Sequence, residues 1–287
     1  MTTSTCLTLQ ALHELHDGSP LLAQIAAIIQ PQQVQTLHSR ALRLQAGGTT
    51  AEEISQIRQL CEAAQVDLAV TSSQQTLADF SLVAMDMDST LITIECIDEI
   101  ADMQGLKPQV AEITEAAMRG ELDFCESLQR RVALLKGLDA SALQSVYEER
   151  LKLSPGAEKM LRAVQQAGLK TLLVSGGFTY FTQRLQQRLG LDFTHANQLE
   201  IDNGKLTGKV LGDIVNAEEK KRTVERVCAE LGIPASRAIV MGDGANDLKM
   251  MGISGLSVAF RAKPVVRAQA NIALNYVGLD GVLTVLQ

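Results

Sequence analysis

The stretch SLVAMDMDSTLI, residues 81–92, decides how this chain is read. Its first half, Leu82–Met85, is an apolar run of the length expected for a short strand buried on both faces. Its second half sets two carboxylates, Asp86 and Asp88, two positions apart at the end of that strand, with Ser89 and Thr90 behind them. Carboxylates beside a buried strand are costly unless a cation pairs with them. Standing alone, the stretch also fits a strand that reaches solvent, with Asp88-Ser89-Thr90 as ordinary turn and cap residues. The rest of the chain decides between the two.

Working outward, three more apolar runs read as buried parallel strands: Thr171–Val174, Ala238–Met241 and Leu256–Phe260. Helical periodicity lies between them. One such segment is Pro155–Ala167, with Ser154 as its cap, Pro155 in the first position and Gly168 closing it. In LEIDNGKLTGKV, Asn203-Gly204 between two alternating runs signals a hairpin. Alternating strands and helices predict an α/β fold with a doubly wound parallel sheet over residues 76–287, and ligands in such sheets sit beyond the C-terminal strand ends. Residues from about 93 to 152 are helical in pattern throughout. They are too many for one crossover helix and predict a helical cap inserted after the first core strand.

Residues 1–75 read as a separate, small α+β domain. CLTLQAL (6–12) is strand-like and PLLAQIAAIIQ (20–30) helix-like. VQTLHSRALRLQ (34–45) alternates as one strand, TAEEISQIRQLCEAAQ (50–65) is helical, and VDLAVTS (66–72) is a strand. Thr50 caps the second helix, with Glu52 and Glu53 in its first turn, where the dipole favours acids. The order is β-α-β-α-β, and Thr71–Thr76 reads as a linker. None of the chemistry-bearing residues below falls in this unit, so it is expected to be dispensable for chemistry.

The polar residues that follow the strands carry the chemistry. The first strand ends in Asp86-Met87-Asp88, the second in Ser175-Gly176-Gly177, and the third leads to Asp243 and then Asn246-Asp247. In a doubly wound sheet these ends face one crevice. Four acids there repel each other unless a divalent cation lies among them, and an all-oxygen donor set suits Mg²⁺. The Ser175 hydroxyl and the Gly176 amide can donate to phosphate oxygens. Lys220, in the run Lys220-Lys221-Arg222, either adds a fixed positive charge to the crevice or belongs to a solvated basic face.

This combination resembles the haloacid dehalogenase superfamily of aspartate-nucleophile phosphatases. D-x-D-x-T appears as Asp86-Met87-Asp88-Ser89-Thr90, the Ser/Thr motif as Ser175, the lysine motif as Lys220, and G-D-G-x-x-D as Gly242–Asp247. Within that superfamily, DMDSTLITIECIDEIA, AAMRGELDFCESLQRRVALLKGL, VSGGFTYF and GDGANDLKMM resemble the phosphoserine phosphatases, over about residues 80–285. The resemblance implies an enzyme, a phosphoric monoester hydrolase that converts O-phosphoserine to serine and inorganic phosphate, the last step of phosphorylated serine biosynthesis. It implies an aspartyl phosphate on Asp86 and a proton cycled by Asp88. It implies Mg²⁺ held by Asp86, the Asp88 main-chain carbonyl and Asp243, with phosphate held by Ser175, Gly176 and Lys220. Asp247 would orient Lys220 or a metal-bound water, and Asn246 would contact phosphate or substrate.

The same resemblance assigns the substrate ammonium to Glu95, the substrate carboxylate to Arg131, and an apolar wall to Met118 and Phe124. The residues support Arg131 independently. Leu128, Val132 and Leu135 form an apolar helical stripe that Arg131 borders, while Arg130 projects to the opposite side; by pattern alone Arg131 fits, and fits better, a residue snorkelling from the edge of that stripe. Glu95 gains no such support, since by pattern it is a solvated acid at a helix start. Another small-phosphomonoester hydrolase of the superfamily, or a phosphotransferase to a second alcohol, would share the same core. A phospho-accepting signalling module would need neither Asp88 nor the Glu95–Arg131 pair, and a cation-pumping ATPase would need membrane spans.

Composition narrows the remaining classes. Hydrophobic residues make up 46% and charged residues 21%, with a net charge of −7. This is a globular composition and a poor one for nucleic acid or an anionic membrane surface. The N-terminal stretch lacks a basic n-region, and apolar runs such as Leu21–Ile29 fall short of a membrane span. Five cysteines without a C-x-x-C pair suggest reduced thiols in the cytoplasm. The first 75 residues resemble an ACT-type amino-acid-binding domain with one strand missing or unrecognised. That resemblance implies a homodimer through this unit or serine sensing; an inert stabilising appendage is the other reading.

Overall fold

The computed structural model describes residues 5–71 and 75–287, without the side chain of Met118. The segment 72–74 of the expected linker therefore lies outside the described residues. The strands are β1 (Thr5–Ala11), β2 (Gln33–His38), β3 (Ala41–Ala46), β4 (Val66–Thr71), β5 (Leu82–Met85), β6 (Lys170–Phe178), β7 (Phe193–Asp202), β8 (Lys205–Leu211), β9 (Ala238–Gly242), β10 (Leu256–Phe260) and β11 (Ile272–Leu274). Among the described residues they form one sheet in the order β2-β3-β1-β4-β11-β10-β9-β5-β6-β7-β8.

From β11 to β7 the pairing is parallel throughout. These strands are buried on both faces. In β5, Val83 and Met85 enter one core and Leu82 and Ala84 the other, as the two-residue period of a strand requires. All four are 0% exposed. Helices α7 (Ala157–Gln166) and α8 (Thr179–Leu189) contribute to the first core, and α9 (Ala217–Glu230) to the second. The chain runs from β5 out to β6 and β7, then returns to β9 on the other side of β5. The order thus reverses between β5 and β9, which opens a crevice at their C-terminal ends. β8 turns back antiparallel on β7 through Asn203-Gly204, both at positive φ.

After β5 comes an insert of helices: α3 (Cys96–Asp102), α4 (Lys107–Met118), α5 (Phe124–Ala133) and α6 (Ser141–Ser145). Its two ends meet where Ile92 bridges Leu153 and the Thr93 amide donates to the Lys152 carbonyl at 2.9 Å. The α7 helix begins two residues later than the Ser154-Pro155 signal implies. Gly156 takes φ +77°, a left-handed conformation outside any helix, and its α-carbon lies against Asp280, leaving no room for a Cβ. The Ser154-Pro155 pair therefore makes a turn ahead of the helix.

The N-terminal unit differs from its sequence reading in two ways. The alternating run 34–45 is two strands, β2 and β3, folded into a hairpin about Ser39-Arg40. With α1 (Pro20–Ile29) and α2 (Ala51–Ala63) the order is β-α-β-β-α-β. The α2 helix carries a full capping box, Thr50 with Glu53. Second, the sheet is mixed and continuous, not a purely parallel sheet beside a separate domain. β4 pairs antiparallel with β11, a three-residue strand, through Ile272↔Ala69 and Ala273↔Leu68.

Polar anchors fix this seam. The buried Asp67 carboxylate accepts amide hydrogens from Asn275, Tyr276 and Val277 at 2.6–3.0 Å. The Arg43 guanidinium, 2% exposed, donates to the carbonyls of Thr284, Val285 and Gln287. Removing an acceptor for several amides costs about 2–3 kcal/mol. Asp67→Ala should therefore lower the urea midpoint of the whole chain in a single transition and leave turnover per folded molecule unchanged. Separate unfolding of the N-terminal unit in that variant would contradict the seam as described.

Candidate active site

The crevice at the β5/β9 reversal is roofed by the helical insert and encloses about 710 Å³. Asp86 directly follows β5 and is 5% exposed. Its Oδ1 accepts the Met87 amide hydrogen at 2.7 Å, and its Oδ2 lies 2.7 Å from Lys220 Nζ. Lys220 is fully buried on α9 and reaches Asp247 Oδ1 at 2.8 Å. Burial alone would lower its pKa, but Asp247 and Asp86 together raise it, so the ammonium stays charged. This settles the two sequence readings of Lys220: it is inside, and its neighbour Lys221 pairs with Glu225 on the half-exposed side of α9.

Asp86, Asp243 and Asp247 each place a carboxylate oxygen within 4.8 Å of the other two. One lysine cannot neutralise three carboxylates. Burial, and then the charge of Asp247, hold the Asp86 pKa well above the ordinary carboxylate range; the same two causes, in that order, push Asp243 up to about 6. An all-oxygen set with surplus negative charge fits a hard divalent cation such as Mg²⁺. Asp247 is committed elsewhere. Its Oδ1 takes Lys220 and its Oδ2 takes the amide hydrogens of Asp243 and Gly244. Asp86 and Asp243 are the freer donors, and Thr90 Oγ1 steadies Asp243 Oδ1 at 3.0 Å.

The Asp88 side chain stands apart from that cluster. Its Oδ1 accepts the Cys96 amide hydrogen at 3.1 Å, at the start of α3. Its Oδ2 lies over Gly177, where any Cβ would fall 2.5 Å away. Burial, then the charge of Glu95, push its pKa up to about 7. Two acids two residues apart thus have different surroundings: one is held against an ammonium, the other lies beside an acid. This answers why the strand ends in both.

Ser175 is fully buried, and its Oγ accepts the Gly177 amide hydrogen at 2.8 Å, leaving the hydroxyl proton available. Gly176, Asn246 and the half-buried Phe124 line the cavity; a Cβ on Gly176 would come within 2.9 Å of the Phe124 ring. Met118 ends α4, and its side chain lies outside the described residues.

The insert brings two further charges to the cavity. On α5, capped by Asp123, Leu128 and Val132 are buried, and Arg130 points outward to Glu126. Arg131 is half-buried and lines the cavity. The acids that act most on it are Asp98, then Glu95, then Asp88. Glu95 precedes α3 at its N-cap position, with no capping bond from its side chain, and lines the cavity, so its exposed face opens into the crevice and not away from it. Helical phase misplaced it because it precedes the helix. Its direction is set by Ser89, which adopts φ +55° and donates its hydroxyl to Glu95 Oε1 at 2.6 Å.

Sequence reasoning missed four contributors. Thr90 stands in D-x-D-x-T, where the motif alone gives it no task. Lys263 lines the cavity, and its amide donates to the Asp243 carbonyl at 3.1 Å. Asp98 lines it beside Arg131, with a buried Oδ1 that has no hydrogen-bond partner among the described residues. Asn197, inside β7, donates to the Gly176 carbonyl at 2.7 Å. An Asn in a strand interior is disfavoured, and that was its one available signal.

A model of haloacid dehalogenase-like hydrolases matches residues 80–255. A phosphoserine phosphatase from Polaromonas sp. strain JS666 is 54% identical over 223 residues, 76% of this chain and 94% of that protein. A crystal structure of a haloacid dehalogenase family hydrolase from Salmonella enterica serovar Typhi superposes with a TM-score of 0.89 at 32% identity, covering 99% of both chains. That of a probable phosphoserine phosphatase from Vibrio cholerae, in unliganded form, gives 0.80 at 36% identity, over 99% of this chain and 86% of the other.

Proposed function

This chain belongs to the haloacid dehalogenase-like hydrolases, and on that premise we propose that it hydrolyses O-phosphoserine to serine and inorganic phosphate. One observation carries the substrate. The same cavity that opens on Asp86, Ser175 and Asp243 is lined, on the insert side, by both a carboxylate, Glu95, and a guanidinium, Arg131. Phosphoserine has three charged handles, and these groups complement all of them: phosphate at the strand ends, ammonium at Glu95, and a planar carboxylate at the Arg131 fork.

Asp86 attacks phosphorus and becomes the aspartyl phosphate. Lys220 holds it in place and offsets its negative charge. Ser175 and the Gly176 peptide donate to the equatorial oxygens, where charge lies in the transition state. Asp88, protonated near neutrality when its pKa is about 7, gives its proton to the seryl oxygen as it leaves. It then takes a proton from the water that cleaves the acyl phosphate. Mg²⁺, held by Asp86, Asp243 and the Asp88 main-chain carbonyl, would supply charge neutralisation between carboxylate and phosphate. Asp247 orients Lys220, and Asn246 contacts the phosphate or the substrate. The helical insert acts as a cap that excludes water until serine departs, with Phe124 and Met118 as its apolar wall.

A panel of phosphomonoesters with Mg²⁺, read as phosphate release, tests the reading. O-phosphoserine should give the highest kcat/KM. A better non-amino-acid substrate, or phosphate appearing on an added alcohol in place of water, would replace it with one of the superfamily alternatives. Chelation should stop activity and Mg²⁺ should restore it. Ca²⁺ should restore little, because it favours more ligands and can take both oxygens of Asp86. Full activity in excess chelator would contradict the metal assignment.

The N-terminal β-α-β-β-α-β unit is read as ACT-like, pairing two chains. Its antiparallel sheet and the open edge of β2, exposed along most of its length, support this, and sedimentation velocity tests it. Among the described residues no helix is long and apolar enough to cross a membrane. All five cysteines are free thiols, which supports a reducing, cytoplasmic setting.

A further inference from the structure

Strands β6 and β7 keep parallel register from Leu172↔Phe193 to Ser175↔Ala196, and then the register jumps to Phe178↔Asn197. The jump leaves Gly176 and Gly177 bulged out of β6. A bulge turns peptide groups out of the ladder, and both of these glycines line the cavity. Enclosed peptide groups released from a ladder need other partners. The Asn197 side chain, 1% exposed, supplies one. Its Nδ2 donates to the Gly176 carbonyl at 2.7 Å, and its Oδ1 accepts the Val215 amide hydrogen at 2.8 Å.

Val215 leads directly into α9. The next residue, Asn216, caps that helix by accepting the amide hydrogens of Glu218 and Glu219, and its carbonyl accepts the Lys220 amide hydrogen at 2.9 Å. Lys220 then reaches Asp86 and Asp247. A single side-chain amide therefore ties the Ser175–Gly177 bulge to the start of the helix that aims the lysine.

We propose that Asn197 is a positioning residue for phosphoryl transfer: it fixes the separation between the Ser175–Gly177 donors and Lys220, so that both converge on the phosphoryl group at Asp86. The inference rests on the site being a phosphomonoester hydrolase. Asn197 does not line the cavity, so it acts through Gly176 and Val215. The task needs one donor and one acceptor at fixed spacing on one planar group, which an amide provides and a carboxylate does not. The same two strands carry a comparable strut at their opposite end, where Thr171 Oγ1 donates to Asp192 Oδ2 at 2.9 Å. That strut is far along the strands from the chemistry and serves as the control.

The test compares the wild-type chain with Asn197→Asp, Asn197→Leu and Thr171→Val, all with Mg²⁺. The readouts are turnover of phosphoserine and of para-nitrophenyl phosphate, inhibition by inorganic phosphate, and thermal unfolding. Misplacing donors by about an ångström costs on the order of 10²-fold, so kcat on both substrates should fall about 30- to 300-fold in each folded Asn197 variant. KM for phosphoserine should stay within about threefold, because Glu95 and Arg131 are untouched, while phosphate inhibition weakens about tenfold. Thr171→Val should lose Tm and keep kcat. Asn197→Asp keeps the acceptor for Val215, so it carries the test if Asn197→Leu does not fold. Wild-type-like kcat in folded Asn197→Asp, or an equal loss of kcat in Thr171→Val, overturns the proposal. If the wild type ignores phosphoserine, the substrate reading falls, and the para-nitrophenyl phosphate arm still decides the role of Asn197.

Discussion

Asp86→Asn is expected to reduce turnover by at least about 10⁴-fold, because an amide is a poor nucleophile and a weak ligand for a hard cation. Asp88→Asn should reduce it by about 10²–10⁴-fold, the worth of a positioned acid and base. The two differ in what else they change. Asp86 belongs to the carboxylate cluster and the Asp88 side chain does not, so Mg²⁺ binding measured by calorimetry should collapse in the first variant and persist in the second. Equal loss of metal binding would overturn that division. Stability separates them as well. The Asp86 pKa is raised in the folded chain, chiefly by burial, so its ionised form opposes folding above its unfolded pKa. Without metal, Asp86→Asn should therefore have a higher Tm than the wild type at neutral pH. The pH profile probes Asp88. With a pKa near 7, kcat/KM should fall as pH rises through that value, since the leaving oxygen needs the protonated acid. Glu95→Gln removes the second-largest cause of the shift and should move this limb to lower pH.

Arg131→Ala should lower kcat/KM for phosphoserine by about ten- to several-hundred-fold, the loss of a charge-assisted contact of about 1.5–3 kcal/mol. Arg131→Lys should rescue little, because an ammonium cannot form the fork. Phosphoethanolamine lacks the carboxylate, so it should be a poor substrate of the wild type and lose far less on the Arg131 change. Arg130, which pairs with Glu126 on the exposed face of α5, is the control, and Arg130→Ala should be nearly silent. Equal damage to both substrates by Arg131→Ala would make Arg131 a structural residue of the insert. The half-buried position of Arg131 among Asp98, Glu95 and Asp88 argues against that outcome, since none of these acids holds it in an ion pair of its own.

What was legible in the sequence follows from the range of the interactions concerned. The runs 82–85 and 256–260 are strands at the bounds their hydrophobicity gives, because burial on both faces leaves the first wholly apolar and the second with one small polar residue, Ser257. The inward lean of Arg131, though not its task, was legible from the edge of an apolar stripe. The β2–β3 hairpin was not, because the polar trio His38-Ser39-Arg40 at its turn lacks the Gly or Asn that marks a tight two-residue turn. The strand β11 is three residues long, too short for a periodic signal, yet it joins the N-terminal unit to the core sheet. Glu95 depends on the backbone twist at Ser89, which no helical wheel contains. Asn197 depends on partners 21 and 18 residues away, and nothing local announces such a pairing.

The central claim is that Asp86 carries the phosphoryl group from phosphoserine. Acid quenching of Asp88→Asn during turnover tests it most directly: that variant keeps the nucleophile, forms the adduct more slowly for want of the acid, and lacks the base that would activate water against the acyl phosphate. Mass spectrometry of the digested protein should find a phosphoryl adduct on the peptide bearing Asp86, and the adduct should be lost on treatment with hydroxylamine. A phosphoryl group on any other residue, or none while serine is released in a burst, would contradict the account.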